Sequence, residues 1–215
     1  MKKLLLLLFL IPLISCTEDW TGEKEVTFLQ DRDGIRYEVN SDVGFTGKYV
    51  EYFENGQKRI EEHLKLGKRN GLITYWNENG QKETEANYKN DKGEGLTTTW
   101  YENGQKKSEG NFMNGKQNGL VIIWYENGQK RTEINYKNGK KEGLQTIWDE
   151  NGQKRSESNY MNGKKNGLVI IWHENGQKKA EGNWKNDKKE GLQTIWDKEG
   201  DVTKTETYKD GKLVK

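Results

Sequence analysis

From Gly47 onward the apolar and polar positions repeat every 24 residues. Each period opens on a glycine: Gly47, Gly71, Gly95, Gly119, Gly143, Gly167 and Gly191. After the first unit a leucine follows, at Leu72, Leu96, Leu120, Leu144, Leu168 and Leu192. Five residues beyond the glycine stands an aromatic: Tyr52, then Trp76, Trp100, Trp124, Trp148, Trp172 and Trp196. A second run closes each unit at Leu64, Tyr88, Phe112, Tyr136, Tyr160, Trp184 or Tyr208. Between the two runs lies Glu126-Asn127-Gly128-Gln129-Lys130, repeated at Glu54, Glu78, Glu102, Glu150 and Glu174, with a worn copy around Gly200. Asn-Gly between strand-like runs is a strong hairpin signal, because both residues tolerate positive φ. A fixed period of this size means one supersecondary unit stacked many times. The pattern therefore predicts an all-β chain: an elongated single-layer sheet of seven tandem 24-residue β-hairpins over residues 47–214. The structural turn glycines are Gly56, Gly80, Gly104, Gly128, Gly152, Gly176 and Gly200.

A second connection joins the units, typified by Lys137-Asn138-Gly139-Lys140. The Gly139 position holds Gly67, Gly115, Gly163 and Gly211 in other units, or Asp91 and Asp187, as a left-handed backbone site would accept. Register then decides which face is apolar, since a slip of one residue reverses every side chain. A two-residue turn at Asn127-Gly128 pairs Trp124 with Arg131, Ile122 with Glu133 and Leu120 with Asn135. A three-residue loop with Gly128 left-handed pairs Trp124 with Lys130, Ile122 with Thr132 and Leu120 with Ile134. The second register gathers the Leu, Trp and Tyr136 columns on one face with Thr132 and Ile134, so burial favours it. It also implies that only Gly128 needs positive φ, and that Asn127→Ala costs a few tenths of a kcal/mol.

Upstream, Val26–Leu29 and Ile35–Val39 flank the turn segment Gln30–Gly34 and read as a capping hairpin within residues 26–46, off the 24-residue template. Asp31-x-Asp33-Gly34 has the opening of a calcium loop but lacks its remaining ligands, so it reads as a plain turn. Residues 1–15 carry Lys2-Lys3 and an apolar stretch from Leu4 to Leu13, the form of a cleaved targeting segment. The stretch ends in Leu13-Ile14-Ser15-Cys16, which resembles the bacterial lipobox. The resemblance implies acyl chains on Cys16, a lipidated tether over residues 16–25, and a place in the cell envelope. Thr17 in place of Asp favours the outer over the inner membrane by the sorting rule of enteric bacteria. Cys16 is the only cysteine, so it forms no internal disulfide.

Composition adds little to this plan. The chain is 31% hydrophobic and 33% charged, with 36 Lys+Arg against 34 Asp+Glu, and the signs are interleaved. No basic stripe stands out along the sequence, which argues against nucleic acid. The two histidines, His63 and His173, fall at non-equivalent positions, and no spacing suits a metal cluster or a Ser/His/Asp set. An enzyme is not expected, nor a cofactor or metal. The Glu column (Glu61, Glu85, Glu109, Glu133, Glu157, Glu181) neighbours Lys and Arg and reads as cross-strand ion pairing.

The pattern Gly-Leu-x3-Trp-x-Glu-Asn-Gly-Gln-Lys-x2-Glu-x2-Tyr-x-Asn-Gly-Lys resembles the variant MORN repeat, in bacteria often found in YwqK-type antitoxin-like chains. The resemblance implies the fold above and, less specifically, lipid contact, scaffolding or dimerisation. The candidate binding face is the Trp column: Trp76, Trp100, Trp124, Trp148, Trp172 and Trp196, because a single layer leaves part of that apolar strip open. The expected role is a membrane-anchored binding or scaffold module for a protein partner, with a glycan or lipid headgroup as less favoured ligands. The alternative is an immunity-type protein that neutralises a toxin by binding it; a lipobox fits poorly with a cytoplasmic antitoxin. Replacing Cys16 by Ser should yield a protein that no longer floats with membranes; unchanged Triton X-114 partitioning in that variant would contradict the anchor.

Overall fold

The computed structural model describes residues 22–214; the targeting segment, Cys16 and most of the tether lie outside them. Every regular element among the described residues is a β-strand. Strands β1 (Glu25–Val26), β2 (Gln30–Arg32) and β3 (Ile35–Tyr37) precede fourteen long strands, β4 (Gly47–Tyr52) to β17 (Val202–Lys209), and a short β18 (Lys212–Leu213). They form one 16-stranded sheet in strictly sequential order, from which only the β2–β3 pair stands apart. Consecutive strands pair with no crossover, so the seven hairpins from Gly47 to Lys209 are the expected single layer.

The register departs from the expectation. In the hairpin of β10 (Lys116–Trp124) and β11 (Lys130–Lys137), Trp124 pairs with Lys130, as the three-residue loop requires. A bulge at Arg131 then returns the strands to the other register: Ile122 pairs with Glu133 and Leu120 with Asn135. The predicted pairs Ile122–Thr132 and Leu120–Ile134 are not made. Instead Val121 faces Ile134 and Ile123 faces Thr132. The bulge at Arg131 combines the three-residue loop with the strand register of the tight turn. The Leu and Trp columns consequently share a face with Glu133 and Asn135, opposite the face that holds Val121, Ile134 and Tyr136.

Burial follows this arrangement. Val121 and Ile134 are buried, as are Ile73, Ala86 and Val169 in the same columns. On the opposite face Val50, Thr74, Thr98 and Thr146 are buried beneath their flanking side chains. A single layer reaches such burial only by bending and twisting, and each repeat carries two irregularities that increase both. The first is the bulge at Arg131. The second lies between β11 and β12 (Lys140–Trp148), where Glu133 pairs with Thr146 but Asn135 pairs with Glu142. Two extra residues, Gly143 and Leu144, bulge there, which leaves Leu144 46% exposed.

The two kinds of turn differ in backbone, and at Asn127-Gly128 the three-residue loop is the one expected. At Asn127-Gly128 the amide of Gly128 donates to Tyr125 O at 3.0 Å, and Gly128 alone is left-handed, at φ 81°. At Asn138-Gly139 both residues are left-handed, at φ 51° and 79°, and Lys137 pairs directly with Lys140. The tight two-residue hairpin is thus the connection between units. Asp91 and Asp187 are left-handed at φ 62° and 66°, as Gly/Asp alternation suggested.

Asn127 is fixed by its side chain. Its Nδ2 donates to Glu150 O of the next turn at 2.8 Å, while Oδ1 accepts from Gln129 N at 2.9 Å. The same donation links Asn55 to Glu78, Asn103 to Glu126 and Asn175 to Lys198. A Cβ added at Gly152 would lie 2.7 Å from Gln129 Oε1, and Gln57, Gln105, Gln153 and Gln177 lie likewise over Gly80, Gly128, Gly176 and Gly200. The other edge is tied by backbone: Gly139 N donates to Gln117 O at 2.8 Å, and Gly163 N to Lys141 O at 2.9 Å.

The N-terminal segment caps the array differently from expectation. Val26 does not enter the small hairpin but runs parallel to β4 as the first strand of the large sheet. The small hairpin is Gln30–Arg32 against Ile35–Tyr37, turning at Asp33-Gly34. It docks on the first repeat through Arg36 N to Gly67 O at 3.1 Å and an ion pair between Arg36 and the buried Glu62.

Asn127→Ala removes two hydrogen bonds and should cost about 1–3 kcal/mol at roughly 0.5–1.5 each, above the few tenths expected from φ alone. Gly128→Ala should cost a similar amount, about 1–2 kcal/mol, through its left-handed φ. Urea melts of the single variants in a short array measure both; a loss at Asn127 of a few tenths would show the inter-repeat bond to be idle. Deleting Gly119–Glu142 restores the template at the join and should lower stability far less than deleting twelve residues, as circular dichroism melts would show.

Candidate interaction surface

The six tryptophans of the column, Trp76, Trp100, Trp124, Trp148, Trp172 and Trp196, are half-buried on the face shared with the Lys–Glu columns. Alternation along β10 places Trp124 with Ile122 and Leu120, and the bulge at Arg131 keeps Lys130 and Glu133 together on that side. Lys130 Nζ lies 2.7 Å from Glu133, and Lys154 Nζ 2.6 Å from Glu157. These are i,i+3 pairs within one bulged strand, rather than the cross-strand pairs expected from the Glu column. Lysine of the preceding turn approaches three of these rings: Lys58, Lys106 and Lys178 Nζ each stand 5.9 Å from the ring centres of Trp76, Trp124 and Trp196. The Trp column is therefore a covered rib under a neutralised Lys–Glu strip. The leucines beside it are the open part: Leu72, Leu96, Leu120, Leu144, Leu168 and Leu192 are 36–57% exposed. The sequence reading placed these leucines in the core; the two-residue bulge lifts them out of it.

The opposite face carries a second aromatic column, interleaved with cations. Lys141 Nζ lies 4.9 Å from the Tyr160 ring centre, Lys165 5.0 Å from Trp184 and Lys189 4.7 Å from Tyr208. Burial, with Lys165 nearby, holds the Lys141 ammonium below its ordinary range. Burial likewise pushes the Tyr160 phenol up, helped by Asp187. Near the Asn-Gly turns this face opens into grooves between repeats. One, of about 680 Å³, is lined by Thr84, Thr99, Tyr101, Lys107, Ser108 and Glu126 among others. Tyr101 and Tyr125 hydroxyls donate to the Trp124 and Trp148 carbonyls at 2.8 and 2.9 Å, and His173 Nε2 lies 3.0 Å from Trp196 O. These 23-residue links have no local signal; only the stacking of units brings them together.

Charge is the second correction. The signs that interleave along the sequence separate in the fold. The Asn-Gly edge presents exposed Glu54, Glu78, Glu102, Glu126, Glu150 and Glu174. The tight-turn edge presents Lys65, Lys68, Lys89, Lys92, Lys116, Lys137, Lys140, Lys164, Lys185, Lys188, Lys209 and Lys212, all exposed. A basic stripe that the linear reading did not find therefore runs the length of one edge. Among the described residues no cluster of His, Cys, Asp or Glu could hold a metal ion.

A sequential single-layer sheet of identical hairpins, whose units touch only their neighbours, defines a repeat protein whose surfaces are ribs and edges. The family profile of the MORN repeat variant matches residues 45–65, 69–90, 93–114, 117–138, 141–162 and 165–186, more than half of the chain. The chain belongs to the MORN repeat variant family. The structure adds a seventh hairpin, Gly191 paired with Tyr208, with the same bulge between Ile195 and Trp196. Comparison with curated proteins finds no match.

Proposed function

We propose that this chain is a non-catalytic, lipid-anchored repeat protein that holds a protein partner along the face of Trp76, Trp100, Trp124, Trp148, Trp172 and Trp196. The observation that carries this reading is the row of exposed leucines beside the tryptophan rib, Leu72 to Leu192, repeated at each hairpin. Regularly spaced apolar side chains rimmed by paired charges suit a protein surface of matching repeat, since apolar rows in water mark interaction sites. The paired Lys–Glu strip beside them contributes little net charge and would act as a polar rim. Anchoring at Cys16 would place this face in the cell envelope, with the outer membrane favoured.

A photo-crosslinker at Leu120 or Leu144 in the lipidated protein should capture a defined partner from its own membranes. Leu96→Ser with Leu168→Ser should weaken that capture, whereas a crosslinker at Thr132 on the other face should give none. Equal capture from both faces would contradict the assignment. Capture of a toxin that the protein inactivates would favour the immunity-type reading.

A further inference from the structure

We infer that the tight-turn edge is a binding site for a flexible acidic polysaccharide, a carboxylate-bearing glycan laid along the lysine row. The site is independent of the tryptophan face, so the two can fail separately.

The edge is built by repetition. Five of the seven turns are flanked by lysine on both sides, as Lys137 and Lys140 flank Asn138-Gly139, and the other two pair Lys116 with Met113 and Lys164 with Met161. None of the twelve edge lysines forms an ion pair among the described residues, while the Asn-Gly-side lysines Lys58, Lys82, Lys106, Lys130, Lys154 and Lys178 each hold a glutamate. Acidic groups at the edge are outnumbered by its twelve lysines, and most of them are engaged by backbone amides. Asp91 Oδ1 accepts from Arg69 N at 2.9 Å and Asp187 Oδ1 from Lys165 N at 2.8 Å, while Glu94, Glu142 and Glu190 accept from the tip amides of Asn114, Asn162 and Asp210 at 2.9, 2.9 and 2.8 Å, which leaves Asp210 as the sixth. The lysine stems are held in file. A Cβ at Gly139 would lie 3.7 Å from Lys116 Cβ, and one at Gly163 3.6 Å from Lys140 Cβ. The ammonium groups thus form a continuous file at a pitch of about 10 Å per repeat, two strands at roughly 4.8 Å each.

The shape of this file selects the occupant. Strands in a sheet rotate by about 20–25° each, so successive turns point in different directions along the edge. A bilayer is flat and a second copy is rigid, so either meets only a few consecutive turns. A flexible linear polyanion can follow the whole file. Two features then favour a glycan over a nucleic acid. The edge presents ammonium groups without the guanidinium forks that grip phosphate in pairs; Arg69 beside it is held by Asp91 at 3.3 Å, and Arg36, whose amide meets Gly67 O, is paired with Glu62. The stacking platforms that single strands need are also missing from the tips. Aromatics close by, such as Tyr160 and Trp184, are half-buried under Lys141 and Lys165. In their place each central tip offers an asparagine, Asn90, Asn114, Asn138, Asn162 or Asn186, left-handed and exposed. An amide donates and accepts at once, which suits sugar hydroxyls, while the flanking lysines suit the carboxylates.

The test uses polygalacturonate of defined length on the mature protein. The edge variant Lys116→Gln, Lys137→Gln, Lys140→Gln, Lys164→Gln should weaken binding about tenfold or more and flatten its salt dependence. The variant Lys106→Gln, Lys130→Gln, Lys154→Gln, Lys178→Gln has the same net charge and should lose about threefold or less. Asn114→Gly, Asn138→Gly and Asn162→Gly keep the left-handed turns; together they should weaken polygalacturonate severalfold and leave polyglutamate of equal charge unchanged. Equal losses in the two lysine variants would overturn the edge. Equal losses on the two polymers, or tighter binding to phosphatidylglycerol vesicles or oligothymidylate than to polygalacturonate, would overturn the glycan. Melts of each variant by circular dichroism separate a loss of fold from a loss of site.

Discussion

Everything in this molecule depends on bonds that reach from one hairpin to the next. An isolated two-stranded hairpin is marginal in water, and this one has a thin core of residues such as Val121 and Ile134. Stability has to come from stacking, and both edges of the sheet are built for it. At one edge Asn127 donates across the gap to Glu150 O and Gln129 covers Gly152. At the other, Gly139 N reaches back to Gln117 O. Because each bond joins only adjacent units, the free energy is a sum of repeat and nearest-neighbour contributions.

The same stacking creates the surfaces. A residue's column, rather than its neighbours in sequence, decides what it faces, so any feature repeated in every unit becomes a line. Lysine on one or both sides of each tight turn becomes a basic edge, while glutamate at each Asn-Gly turn becomes an acidic one. Leucine after each opening glycine becomes an exposed apolar row through the bulge at Gly143-Leu144. The Lys130–Glu133 contact is the counter-example, because the bulge at Arg131 brings these residues to one face and neutralises the strip beside the tryptophans.

Much of this was legible in the sequence and some was not, for reasons that can be named. Period and Asn-Gly turns gave the hairpins, their number and their sequential order, since those depend on local backbone preferences. Gly128 as a left-handed residue was read correctly from the same logic. The face assignment failed because it assumed one register per hairpin. A bulge at Arg131 costs one unpaired residue and lets Val121 meet Ile134, and no residue type marks it in advance. Asn127 was read through its φ alone, although its role is a bond 23 residues away. The basic edge escaped because charge was read along the chain, where lysine and glutamate alternate, and not across the sheet.

Native-state hydrogen exchange of the inter-repeat amides tests the nearest-neighbour account most directly. The amides of Gly115, Gly139 and Gly163 should exchange more slowly than that of Gly211 near the C-terminal edge, with protection falling stepwise from the centre outward. A single uniform protection across all of them would contradict it, because it would mean that the sheet opens as one closed cooperative unit.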